Sequence, residues 1–173
     1  MHLLKRSSST LQSLIDFQPS DPPQYANAKK RSSFGFGRGG RYSASNLPTQ
    51  KTVMICDDEL DVLRAYKIAL ASRYSVVTAS SGEECLRKYV DETKAGAKVD
   101  VLLLDYRLGD MPGDEVARKI RDLDGTKIIL ISAYEISSAF LDELKQKNCI
   151  TSFIKKPVTM ASLLASIDRI LLE

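Results

Sequence analysis

Five short apolar runs punctuate the chain after its first fifty residues: 52–56 (TVMIC), 75–79 (SVVTA), 99–104 (VDVLLL), 127–131 (KIILI) and the shorter 152–154 (SFI). They are rich in Val, Ile and Leu, bounded by charge, and lack strict alternation. Such runs predict strands buried on both faces, as in a parallel sheet. Between them the apolar positions recur with helical period. Val62, Leu63, Tyr66, Ala69 and Leu70 share one helical face, as do Leu86, Tyr89 and Val90, and then Val116, Ala117, Ile120 and Leu123. Ile136, Phe140, Leu141 and Leu144 predict a fourth helix, and Met160, Leu163, Leu164, Ile167, Ile170 and Leu171 a fifth. Ser81 followed by Glu84 has the spacing of a capping box and marks the start of the second helix. Strand and helix alternate five times, which predicts a doubly wound α/β domain over residues 51–173.

Charge divides the chain at the same place. The net +3 of the whole averages two unlike pieces. Residues 1–50 carry seven basic side chains (Lys5, Arg6, Lys29, Lys30, Arg31, Arg38, Arg41) against Asp16 and Asp21, a balance of +5. The rest carries 18 basic and 20 acidic residues, a balance of −2. The first fifty residues hold nine serines and most of the prolines. Their apolar positions are too scattered to offset an ordering entropy of about 1–2 kcal/mol per residue, so a disordered basic arm is expected. Leu4, Leu11, Leu14 and Ile15 are near helical spacing and could seat a short helix on a partner. The Ser-rich, basic composition also fits a transit peptide. Phe34-Gly-Phe-Gly-Arg-Gly-Gly-Arg-Tyr42 interleaves aromatics with arginines, as single-strand nucleic-acid binders do, although a solvated linker has the same composition.

Several chemistries fall away on counts. The one histidine is His2, at the end of the chain, which removes His-based zinc sites and Ser-His-Asp triads. Cys56, Cys85 and Cys149 are sparse and show no Cys-x-x-Cys spacing, the pattern of reduced thiols in a cytoplasmic protein. No apolar run approaches the roughly 18 residues of a membrane span.

In a doubly wound sheet, ligands bind beyond the carboxyl ends of the strands, where the strand order reverses. The residues expected at that edge are Asp57 and Asp58 after the first strand, Asp105 after the third, Ser132-Ala133 after the fourth and Lys155-Lys156-Pro157 after the fifth. In the order 2-1-3-4-5 the first and third strands are neighbours, so three carboxylates share a pocket with a hydroxyl and an ammonium nearby. Two unit charges ~4 Å apart repel by about 4 kcal/mol at an effective dielectric near 20. Such a site needs a compensating cation or a retained proton. Oxygen donors without histidine point to Mg²⁺, Lys156 supplies a point charge suited to phosphate, and Ser132 can donate to a phosphoryl oxygen. Together they make a phospho-aspartate site.

Each residue taken singly has a plainer reading. Asp57 and Asp58 could cap a helix, Ser132 could end a strand, Phe153 could be core, and Cys56 could be an ordinary buried strand residue. Capping does not explain Asp105 and Lys156.

The ordered set Asp57-Asp58-Glu59, Asp105, Ser132-Ala133, Lys156-Pro157 resembles the receiver domain of two-component response regulators, of the stand-alone chemotaxis-regulator type. The resemblance covers residues 51–173 and implies a flavodoxin-like five-stranded parallel sheet of order 2-1-3-4-5 with helices on both faces. It implies Asp105 as phosphoacceptor, and Mg²⁺ held by Asp58, Asp105 and the Arg107 backbone carbonyl, with Asp57 acting through water. Ser132 and Lys156 would bind phosphoryl oxygens, and Phe153 would be the aromatic whose rotamer follows Ser132. Lys156-Pro157 is a candidate cis peptide, and Gly113 matches the family's turn glycine. Arg107 and Tyr134 flank the site at positions that tune phosphate lifetime in the family. One departure is visible: Gly109 stands where the family often has proline, and Pro112 comes later.

The resemblance implies a module that accepts a phosphoryl group from a sensor histidine kinase or phosphotransfer protein, and is not an enzyme toward other substrates. Output is expected by contact with a downstream protein through the face of the fourth and fifth helices, with no second folded domain. Two other readings stay open. A phosphohydrolase with an aspartate nucleophile also uses carboxylates and Mg²⁺, but such enzymes place a second acid two residues after the nucleophile, where Arg107 stands. A nucleic-acid binder would use the basic arm, with the receiver as its switch.

Overall fold

The computed structural model describes residues 50–172. The expected basic arm, its candidate helix and the Phe34–Tyr42 stretch lie outside the described residues.

The strands are β1 (Thr52–Cys56), β2 (Ser75–Ala79), β3 (Val101–Asp105), β4 (Lys127–Ser132) and β5 (Ser152–Lys155). They alternate with α1 (Leu60–Leu70), α2 (Gly82–Lys94), α3 (Gly113–Arg121), α4 (Ser138–Gln146) and α5 (Met160–Leu172). All pairings are parallel, in the order β2-β1-β3-β4-β5. This is the flavodoxin-like α/β architecture that the sequence implied.

Alternate strand residues feed two separate cores, which is why the runs read as continuously apolar. Met54, Cys56, Leu102, Leu104, Ile128 and Leu130 pack beneath α2, α3 and α4, against Tyr89, Val116, Ile120 and Leu144. Val53, Ile55, Val101, Leu103, Ile129 and Ile131 face the other way, against Leu63, Tyr66 and Leu70 of α1 and Leu163, Ile167 and Ile170 of α5. The central strand β3 is buried along its whole length, whereas the edge strand β2 is buried only at Ala79.

Three local expectations are corrected. The third strand starts two residues later than its apolar run: the Asp100 amide still donates to the Thr52 carbonyl, but the Thr52 amide goes to the Asp100 carboxylate, which also accepts the Lys51 ammonium. Ile136 precedes the fourth helix, whose N-cap is Ser137, and reaches the core from the connecting loop. The Ser81 hydroxyl caps α2 by accepting from the Glu84 amide at 3.1 Å, but the reciprocal bond differs. The Glu84 carboxylate accepts from the backbone and hydroxyl of Ser80, not from the Ser81 amide. No helix of the described residues is long and apolar enough to cross a membrane.

Candidate functional site

The site forms at the carboxyl edge of β1, β3, β4 and β5, and backbone hydrogen bonds continue each strand into it. Asp57 donates its amide to Ala79 beyond the end of β1, and Tyr106 donates to Ile131 beyond β3. Lys156 donates to the Ser132 carbonyl at 2.7 Å. These bonds set the direction in which each functional side chain leaves the sheet.

Asp57 and Asp105 are buried, and the Lys156 ammonium lies between them. It donates to Asp57 Oδ2 at 2.7 Å and to Asp105 Oδ1 at 2.6 Å. The second Asp105 oxygen accepts the Arg107 amide at 2.6 Å. Burial raises the Asp105 carboxyl above its ordinary range, and the Lys156 bond and charge and the Arg107 amide offset this only in part. For Lys156, burial opposes the charge, but bonds to Asp105 and Asp57 outweigh it and hold the ammonium well above its usual value. The pair therefore keeps its proton on nitrogen, with one cation balancing two buried carboxylates. Lys155 points elsewhere, to Glu135 at 2.6 Å, so the neighbour preceding Pro157 is the one that enters the site. The Lys156-Pro157 peptide is cis, as expected.

The other expected residues fall into two groups. Asp58 is exposed beside the β3–α3 loop, its Oδ2 within 3.9 Å of where a side chain on Gly109 would begin. Arg107 follows Asp105 closely, and its backbone spans the same edge as the acids. Ser132 is buried, but its hydroxyl oxygen accepts the Tyr134 amide at 2.9 Å and is turned along its own strand end. Phe153 is half-buried, paired in register with Leu130 and packed against the core under α2–α4.

Two arrangements escaped the sequence reading. The Arg107 guanidinium lies over the Tyr134 ring, 4.3 Å from its centroid, so two exposed side chains form one stacked pair. Together with Tyr106, Leu108, Gly109, Asp110, Met111 and Pro112 they line a cavity of about 510 Å³. Second, Asp110 accepts the amides of Gly82 and Glu83 at 2.9 and 2.8 Å. An acid just before one helix reads as that helix's own cap, and nothing local marks it as capping a helix that starts 28 residues earlier.

The donor set fits Mg²⁺. Among the described residues no group of three or more His, Cys, Asp or Glu side chains closes into an all-protein metal cluster. Mg²⁺ does not ask for one: it keeps several waters and takes one or two carboxylates. Asp57 and Asp105 are two buried carboxylates bridged by Lys156, and oxygen donors of that number are what the ion takes from a protein.

Comparison with known proteins agrees with this geometry. The response regulator receiver domain model matches residues 53–168. The transcriptional regulatory protein KdpE of Mycobacterium tuberculosis is 34% identical over 114 residues, 65% of this chain and 47% of that protein. The chain thus spans about half or less of the curated relatives it matches. A CheY-like receiver domain protein from Methanospirillum hungatei is 28% identical with a TM-score of 0.62, covering 71% of this chain and 94% of that one. The Vibrio cholerae chemotaxis protein CheY4 is 25% identical with a TM-score of 0.60, covering 70% and 99%. Family model and sheet order agree: the chain belongs to the response regulator receiver domain family, whose domains are signalling modules.

Proposed function

We propose that residues 51–173 act as a phosphorelay receiver in which Asp105 takes a phosphoryl group from a partner's phosphohistidine, residues 1–50 being an appended basic arm. The observation that carries this reading is the Lys156 ammonium held between Asp57 and Asp105. A carboxylate oxygen of Asp105 attacks phosphorus, the P–N bond breaks, and its electron pair leaves with the imidazole nitrogen. Lys156 stays protonated throughout and is placed to donate to a phosphoryl oxygen. Ser132, whose hydroxyl oxygen accepts the Tyr134 amide, keeps its O–H to donate to another, and the Phe153 rotamer follows Ser132. Asp58, Asp105 and the Arg107 carbonyl would hold Mg²⁺, with Asp57 acting through water. The ion supplies positive charge for the transferring group's oxygens. The Arg107–Tyr134 stack, two residues after Asp105 and two after Ser132, would tune the lifetime of the acyl phosphate. Output then passes to a downstream protein through the face of α4 and α5.

The test is mass spectrometry of the whole chain after incubation with acetyl phosphate and Mg²⁺. Wild type should gain one phosphoryl group, and Asp105→Asn should gain none. An unmodified wild type, or equal modification of both proteins, overturns the reading. The nucleic-acid reading rests on the arm outside the described residues, and no feature of the site favours it.

A further inference from the structure

The loop joining β3 to α3 is held at both ends. At its base the Gly113 amide donates to the Tyr106 carbonyl at 2.8 Å, and Arg107 and Pro112 form an antiparallel bridge. At its tip Asp110 grips the first turn of α2 through both carboxylate oxygens, taking the Gly82 and Glu83 amides. With the Ser81 hydroxyl on the Glu84 amide, the first three amides of α2 all have acceptors. Met111 packs so closely on Gly82 that a Cβ there would sit 2.5 Å from its Cγ. The helix end also favours the Asp110 charge. Burial alone would raise its carboxyl, yet the bonded amides hold it below the ordinary range. The residue is thus an anion that ties the β3–α3 loop to the first turn of α2. Arg107 stands in the bridged base of that loop, its amide bonded to Asp105.

We propose that Asp110 is a positioning residue of the phosphoryl-transfer site. It touches neither metal nor phosphoryl group, but by tying the loop to α2 it fixes the Arg107 backbone against Asp105. The inference rests on the receiver reading above. It differs from simple helix capping in a checkable way. Ser81 caps the same helix end without touching the loop, so losing Ser81 should cost stability alone, whereas losing Asp110 should cost stability and metal affinity together.

The experiment compares the full chain as wild type, Ser81→Ala, Asp110→Ala and Asp110→Asn. Binding of Mn²⁺, added alone, is followed by electron paramagnetic resonance, urea unfolding is measured in parallel, and hydrogen exchange of the 106–113 amides is recorded without metal. Asp110→Ala should lose about 10-fold in Mn²⁺ affinity, the scale of outer-shell substitutions at metal sites, and its loop amides should exchange faster. Asp110→Asn retains one acceptor oxygen and should fall between. Ser81→Ala should bind Mn²⁺ like wild type despite a lower urea midpoint. If Asp110→Ala fails to fold, the asparagine variant carries the comparison. Wild-type Mn²⁺ affinity and loop exchange in the Asp110 variants, or an equal loss of affinity in Ser81→Ala, overturns the positioning role and leaves the receiver reading standing. A wild type that neither binds Mn²⁺ nor accepts phosphoryl from acetyl phosphate overturns both.

Discussion

Gly113 opens α3 against the backbone of the residue proposed to carry the phosphoryl group, and replacing it with alanine tests how rigid that contact is. A Cβ at this position would stand 2.2 Å from the Asp105 carbonyl oxygen, 3.0 Å from Tyr106 Cα and 3.1 Å from the Asp105 carbonyl carbon. All three are backbone atoms, so no side-chain rotation relieves the clash. Either α3 or the end of β3 must shift by most of an ångström. Overpacking of this kind costs typically about 1–3 kcal/mol. Against it stands the lower unfolded-state entropy of alanine, worth about 0.4–1 kcal/mol. The net expectation is a destabilisation of roughly 1–2 kcal/mol, which at a urea slope of about 1–3 kcal/mol/M lowers the midpoint by about 0.3–2 M. Gly125→Ala is the matched control, since its nearest neighbour would be the end of the Arg121 side chain at 3.9 Å. It should leave the midpoint unchanged or slightly raised. Because the displaced carbonyl belongs to Asp105 itself, Gly113→Ala should also take up phosphoryl from acetyl phosphate more slowly than Gly125→Ala. Equal midpoints and equal uptake in the two variants would refute the reasoning.

Two further outcomes follow from burial and charge. Leu102→Ala empties a fully buried position on the central strand, and should cost about 2–5 kcal/mol by urea unfolding; a loss below about 1 kcal/mol would mean the core collapses into the gap. Burial alone would raise the Glu84 carboxyl, but Lys88 and the two Ser80 donors bring it down to about 2. Since its unfolded value is about 4.3, it contributes stability that is present above that pH and is lost as pH falls toward about 2. The stability difference between wild type and Glu84→Gln should therefore shrink across that window. A difference independent of pH would sink this assignment.

Much of this protein is legible in one dimension. Residues 53–56 and 128–131 are apolar throughout because both faces of the strand are covered, and the helices keep a single apolar stripe because only one face is. Burial acts on every residue of an element alike, so it leaves a periodic trace in the chain. The acids at strand ends are legible for a similar reason, since a doubly wound sheet collects its strand ends along one edge. Directional contacts leave no such trace. That Lys156 takes up Asp57 and Asp105, 99 and 51 residues away, while Lys155 turns to Glu135, depends on which face of β5 each side chain leaves. The Ser132 hydroxyl turns to the Tyr134 amide, Arg107 lies on Tyr134, and Asp110 caps a helix other than its own. Each is a choice among rotamers and partners that becomes available only once the strands are in register. Composition and spacing determined which groups meet at the edge of the sheet; the tertiary structure decided which atoms they hold, because a hydrogen bond is set by position and angle in space and not by separation along the chain.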